Sequence, residues 1–154
     1  MRSVERIKAA KKKAHEYEKN YGGCAQSVLG ALQEEFEIGN RDSFKAANML
    51  AGGIARQGET CGAIVGALCA LGLVIGRERI EDTEVYKEAM ERSVKVSARF
   101  REELKRQLGF RSELKSTLCR HIQEMIYGRS FDLANKAEYQ AFLNAGGHGD
   151  AGCP

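Results

Sequence analysis

The fifteen residues from Cys61 to Ile75, CGAIVGALCALGLVI, carry no charged side chain. A run so apolar has to be buried, yet it is shorter than the roughly 20 residues a helix needs to cross a bilayer. It is therefore expected to form the buried central helix of a water-soluble protein, with no membrane span. Gly62 and Gly66 stand about one helical turn apart on it, a spacing that lets another backbone approach closely. An intramolecular helix could use that contact, and the glycine face over 62–72 equally leaves room for a homodimer.

The pattern on either side of the run is helical throughout. No stretch alternates as a strand does. A single proline in 154 residues leaves long helices uninterrupted, so the 17 glycines supply the breaks. These features predict an all-α fold, a single domain over 1–154 built as a bundle of about six to seven helices. An N-terminal amphipathic helix over 1–20 carries Val4, Ile7, Ala10, Ala14 and Tyr17, and YGG at 21–23 ends it. A second helix, over 24–37, puts Val28, Leu29, Leu32 and Phe36 on one face. The segment DSFKAANMLAGGIA reads as a third, with Asp42 or Ser43 as N-cap and Gly52-Gly53 weakening its end.

RQGET leads into the buried helix from Cys61. Beyond it a long amphipathic helix is expected from Ile80 to Gly109, with a core stripe of Val85, Ala89, Val96, Phe100 and Leu104. A sixth helix is expected from about residue 113 to 127, turning Leu114, Leu118, Ile122 and Ile126 inward, and a short seventh over about 135–144. Residues 145–154, AGGHGDAGCP, read as a flexible Gly-rich tail. The first twenty residues lack the apolar stretch of a secretory signal, so a reducing, cytoplasmic setting is the expectation. A net charge of +3 is too small to argue for a nucleic-acid partner or an anionic membrane.

Chemistry concentrates in the cysteines, at 24, 61, 69, 119 and 153. No two are spaced as Cys-x-x-Cys, which argues against thioredoxin-like chemistry, a zinc ribbon and covalent haem attachment. Cys24 follows YGG and Cys61 follows QGET, so each falls in the first turn of an expected helix. Free backbone N–H groups and the helix dipole there stabilise a thiolate and are expected to lower its pKa. Gly23 and Gly58, ahead of the two sulfurs, permit unusual backbone angles, while Gly62 and Gly66 clear space beside Cys61 for a helix or a cofactor. Packing alone also explains many helix-start cysteines. Cys69, between Leu68 and Ala70 in the apolar run, is expected to be inert core. Cys119 lies beside Arg120 with His121 two residues on, a spacing that does not aim both groups at one metal. Cys153 sits near His148 where nothing about packing calls for a cysteine.

The segments CGAIVG (61–66), GGCAQSVLGAL (22–32) and GGIARQGETCGA (52–63) resemble the C-GCAxxG-C-C family of bacterial and archaeal proteins, named for redox activity. The resemblance runs over residues 14–153, with Cys119 and Cys153 where the family's third and fourth cysteines are expected. The family is similar to a domain of the split-Soret cytochromes, proteins that carry an iron–sulfur cluster besides haem. The resemblance thus implies that Cys24, Cys61, Cys119 and Cys153 are metal ligands, holding an iron–sulfur cluster of the [2Fe–2S] type that exchanges electrons with a redox partner protein. Two other readings stand beside it. Cys24 and Cys61 could be the catalytic pair of a thiol/disulfide protein, or the chain could be a non-catalytic helical module that binds zinc or a partner.

Overall fold

The computed structural model describes residues 3–109, 114 and 116–153. Among them the backbone forms seven α-helices and no strand beyond one isolated bridge, so the all-α expectation holds. α1 (Ser3–Tyr21) and α2 (Cys24–Phe36) are joined by Gly22 and Gly23, both left-handed at φ 69° and 85°. Only glycine takes up successive left-handed angles without strain, which is why the chain can reverse in two residues. The hairpin is clipped by Lys13, whose Nζ lies 2.9 Å from Glu34 and 2.7 Å from Glu35. Tyr17 O–H also donates to Glu34 at 2.8 Å.

The other side of α2 meets α4 (Gly62–Ile75), and glycine sets how close the two come. A methyl group on Gly66 would overlap the carbonyl oxygen of Ala25, and one on Gly62 would overlap the sulfur of Cys24. The Gly62 and Gly66 part of the glycine face of α4 is therefore taken up by α2, while Gly72 stays open. Ala25, Leu29, Ile64 and Ala70 are buried around this contact. Burial of α4 is confined to the side and half that touch α2: Leu73 and Val74 in its last turn are exposed. Cys69 packs beside Leu32, Ile38 and Leu50 against the Leu29–Ala47–Ala70 cluster, as its inert-core reading requires.

The third helix is shorter than expected. α3 spans Arg41–Ala46 and passes into a 3₁₀ turn, Ala47–Leu50. Its N-cap is Asn40 rather than Asp42 or Ser43: the Asn40 side chain accepts from the Ser43 N–H, and the Ser43 hydroxyl accepts from the Asn40 N–H, each at 3.0 Å. Beyond Leu50 the chain does not fray but winds the opposite way. Gly52, Gly53, Ile54, Ala55 and Arg56 all have φ between 50° and 71°. For the non-glycine residues this costs about 1–2 kcal/mol each, so it persists only because other contacts impose it. Ala55 N–H bonds Met49 O at 2.7 Å, Glu59 N–H bonds Gly53 O at 2.9 Å, and the Arg56 guanidinium stacks 4.6 Å over the Tyr139 ring.

α5 (Thr83–Leu108) closes on Gly109 in the left-handed conformation, as expected. None of its residues is fully buried, and Val85 of the expected core stripe is 43% exposed. α6 begins at Cys119 and runs to Tyr127, not from about residue 113; residues 113 and 115 lie outside the described set. The reason is a local pairing with the lead-in to α4. Thr60 bridges Leu118, Cys61 N–H bonds Thr117 O at 2.8 Å, and Cys119 N–H bonds Glu59 O at 2.6 Å. Backbone committed to that ladder cannot be helical. α7 (Lys136–Asn144) is capped by Asn135 and closes an aromatic cluster of Phe131, Phe142, Tyr127 and Tyr139.

Two glycines on one helix give a paired test of the α2–α4 contact. Gly66→Ala should lose about 1–3 kcal/mol from overpacking. Gly72→Ala, with open space around its added carbon, should gain about 0.5–1 kcal/mol of helix propensity. Urea midpoints of the two variants read the difference, and equal shifts would contradict the packing.

Candidate functional site

Three of the cysteines begin a helix. Cys24 opens α2 after Gly23, Cys61 immediately precedes α4, and Cys119 opens α6. The Thr60–Leu118 bridge places Cys61 and Cys119 diagonally across a two-strand ladder, on the same side of its pleat. Gly62, next after Cys61, lies against the Cys24 sulfur. Gly53, in the left-handed turn, packs against the Cys119 β-carbon.

Cys153 arrives from the far end of the sequence. Residues 145–153 form a succession of turns, tied by bonds such as Gly147 N–H to Phe142 O at 3.0 Å and Cys153 N–H to Gly147 O at 3.3 Å. They lie back on α1, where Asp150 pairs with Lys19 at 2.9 Å and His15 at 3.1 Å. The hydroxyl of Tyr127 stands 3.5 Å from the Cys153 sulfur, and Gln123 Nε2–H donates to the Cys119 sulfur at 3.4 Å.

The four thiols share one electrostatic environment. Burial pushes Cys61 up most strongly, and charge on Cys24, Cys119 and Cys153 pushes it further. Cys119 is raised to about 12 by burial, then by Cys153 and Cys24. Cys153 is raised to about 11 by burial, against the hydrogen bond from Tyr127, which favours its thiolate. Cys24 is also raised, by burial and by the carboxylate of Glu18. The lowering expected at helix starts is thus reversed. Backbone N–H groups of Gly52, Ala25 and Gly62 do face the Cys24 sulfur and favour its thiolate. Loss of water and four like groups in one place outweigh them.

Cys24 and Cys153 line a cavity of about 820 Å³ between α1, α2 and α5, walled by apolar side chains including Val28, Leu32, Phe100 and Leu104. Cys153 is accessible to solvent there, while the protein around it is dense enough for desolvation to dominate its ionisation. Cys61 and Cys119 do not line the cavity. Among the described residues, no three His, Cys, Asp or Glu side chains are grouped as a single metal ion would require. Of the glycines singled out in sequence, Gly62 makes room for a cysteine and Gly66 for the α2 backbone. Gly58, left-handed at φ 70°, belongs to the paired ladder, and Gly23 to the α1–α2 turn.

Glu18 also lines the cavity and was not picked out from the sequence, and His148, noted there beside Cys153, lies against it. Glu18 is only 6% exposed and accepts from the Ser27 hydroxyl at 3.2 Å. Its other oxygen lies 3.2 Å from Nδ1 of His148, close enough for an ion pair but off the line of a hydrogen bond. Its position carried a signal: Glu18 extends the row of Ala10 and Ala14 by one helical turn, on the face that α1 buries. His121 is half-buried on α6.

The fold is all-α, and four separated cysteines in it influence one another's ionisation. Residues 23–149 match the family described as putative redox-active protein (C_GCAxxG_C_C), and the chain belongs to that family. No curated protein and no solved structure matches the chain. The matched segment takes in Cys24, Cys61 and Cys119 and stops short of Cys153, which geometry alone brings to the pocket. Among the described residues, no helix is long and apolar enough to cross a membrane.

Two measurements follow from the pocket. Iodoacetamide at about pH 9, near the ordinary thiol pKa, should label Cys153 and Cys24 ahead of Cys61 and Cys119. Peptide mass mapping reads the order, and early labelling of Cys61 would contradict its burial. The raised thiol pKa values also make the metal-free fold sensitive to alkali. Keeping these protons stabilises the fold fully below the ordinary value of 9.0, and that contribution is lost as pH rises through about 11 for Cys153 and about 12 for Cys119. Urea midpoints should fall over that window, and fall less in a Cys119→Ser/Cys153→Ser variant.

Proposed function

We propose that Cys24, Cys61, Cys119 and Cys153 hold an iron–sulfur cluster and that the protein transfers electrons. The observation that supports this reading is that the four thiols influence one another's ionisation, three of them at helix N-termini, with a hydrogen-bond donor on each of the four sulfurs. A four-thiol donor set suits soft iron–sulfur centres, which cysteine thiolates ordinarily ligate. Protonated, the thiols repel one another little. As thiolates they need positive charge close by, which a cationic centre and the partial charges of the helix ends supply together.

When bound, such a cluster supplies a one-electron couple whose potential depends on hydrogen bonds to its sulfurs and on solvent exposure. In this chain the Gln123 amide would donate to the Cys119 sulfur and the Tyr127 hydroxyl to that of Cys153. The N–H groups of Gly52, Ala25 and Gly62 would donate to Cys24. The cavity at Cys24 and Cys153 is the side from which an electron donor or acceptor would reach the sulfurs, since Cys61 and Cys119 do not line it.

The test is anaerobic reconstitution with iron and sulfide, followed by metal analysis and visible absorption. Iron and acid-labile sulfide should be retained in stoichiometric amounts. Cys24→Ser, Cys61→Ser, Cys119→Ser and Cys153→Ser should each lower retention, and Cys69→Ser should not. Protein that retains neither element with all four thiols reduced would overturn the cluster. A reversible Cys24–Cys61 disulfide in that sample would put thiol exchange in its place.

A further inference from the structure

α1 packs on α2 and α5 packs on α4, but α5 does not close onto α1 or α2. The space left between them is the cavity of about 820 Å³ that reaches Cys24 and Cys153. Ile7, Ala10, Ala14 and Glu18 line it from α1, each a turn beyond the last, so it follows about 16 Å of that helix. Facing them are Leu32 and Phe36 of α2 and Phe100 and Leu104 of α5, large apolar side chains that stay only half-buried. Turned towards a common void instead of each other, they forfeit contact and leave apolar area in water. A mostly apolar cavity of this size between the helices of a bundle has the dimensions of a small-molecule site.

The polar groups of its wall are unevenly placed. At the inner end, beside the two cysteines, the Ser27 hydroxyl donates to the buried Glu18 carboxylate at 3.2 Å. Asp150 pairs with His15 at 3.1 Å and with Lys19, and Glu103 pairs with Arg106. The acids of the wall are thus engaged. At the other end Lys8 and Lys11, a turn apart on α1, line the cavity, and among the described residues neither has an acidic partner. Other lysines of α1 do: Lys12 pairs with Glu16, Lys13 with Glu34 and Lys19 with Asp150. An elongated apolar void with surplus positive charge at one end is complementary to an elongated apolar molecule with one negative group.

We infer that this cavity binds an amphiphilic organic acid, its carboxylate at Lys8 and Lys11 and its apolar chain laid along α1 towards Cys24 and Cys153. The head group stays at the exposed end, where water completes its hydration, and the chain fills the space between Leu32, Phe100 and Leu104. The Glu18 carboxylate at the inner end repels an anion and so opposes the reverse orientation. With the cavity filled, small reagents reach the Cys153 sulfur less readily, so the ligand also governs access to that thiol. This inference does not depend on what the cysteines bind.

Isothermal titration calorimetry of decanoate into the full chain, with its thiols reduced, decides it. Decanoate should bind with one molecule per chain. Decan-1-ol, which has the same chain without the charge, should bind about tenfold more weakly, the effect of losing one charge-assisted contact. Lys8→Gln/Lys11→Gln, at two exposed positions, should bring decanoate down to the level of the alcohol and leave the alcohol unchanged. Ala14→Phe, which puts a ring into the void, should remove binding of both with unchanged circular dichroism. Saturating decanoate should slow the iodoacetamide labelling of Cys153. Absence of decanoate binding would overturn the inference, as would an alcohol that binds as tightly as the acid, or a lysine variant that binds decanoate like the wild type. So would labelling of Cys153 that decanoate leaves unchanged, or a folded Ala14→Phe chain that still binds. Should Ala14→Phe fail to fold, the lysine variant and the labelling decide alone.

Discussion

The contact of the α2 backbone with Gly62 and Gly66 is the constraint from which the rest follows. Without side chains at those two positions, α4 can lie against Ala25 and the Cys24 sulfur, so the starts of two helices come together in the core. Once they do, the lead-in to α4 has to arrive from a fixed direction. The left-handed turn from Gly52 to Arg56 supplies that direction at a conformational cost, repaid by its backbone bonds and the Arg56–Tyr139 stack. The same lead-in then pairs with 117–119, which delays the start of α6 and sets Cys119 beside Cys61. One close helix contact thus propagates into the position of three cysteines.

The pocket so formed is unfavourable in isolation. Four thiols lie near the buried carboxylate of Glu18 and the half-buried His148, and ionisation of each thiol is opposed by burial and by its neighbours. A chain selected for stability alone would fill that region with apolar side chains. What makes it tolerable in the free protein is that the thiols stay protonated and that N–H and O–H donors already face the sulfurs. The Gln123 side chain illustrates the economy of the arrangement. It donates to Cys119 and, through its carbonyl, accepts from Phe131 N–H at 2.8 Å, tying the cysteine to the aromatic cluster under α7.

Much of this was legible in the sequence. The apolar run at 61–75, the amphipathic repeat beyond it and the lack of internal proline fix the helical class, because helix periodicity and helix breakers are local properties. The helix-start placement of Cys24 and Cys61 follows from the glycines ahead of them. The start of α6 was not legible, since Leu114, Leu118, Ile122 and Ile126 keep helical spacing, and only pairing with a distant segment holds 117–118 extended. Nor was the sign of the cysteine pKa shifts. Sequence reveals the helix end that lowers a thiol pKa but not the burial and the three other thiols that raise it. Glu18 was passed over because a glutamate on a charged helix is ordinarily solvated; its row with Ala10 and Ala14 gains meaning only once that face is known to be covered.

The sequence by itself determined that the chain would be helical, that Cys69 would be core, and that four other cysteines were candidates for chemistry. These conclusions rest on spacing along one chain and need no partner segment. Only the tertiary structure decided that Cys24, Cys61, Cys119 and Cys153 influence one another's ionisation, with Glu18 close to Cys24 and Cys153. That mutual influence depends on a glycine-mediated helix contact, a two-residue ladder and a C-terminal segment folded back on α1. Each joins residues far apart in sequence, and no local pattern encodes it.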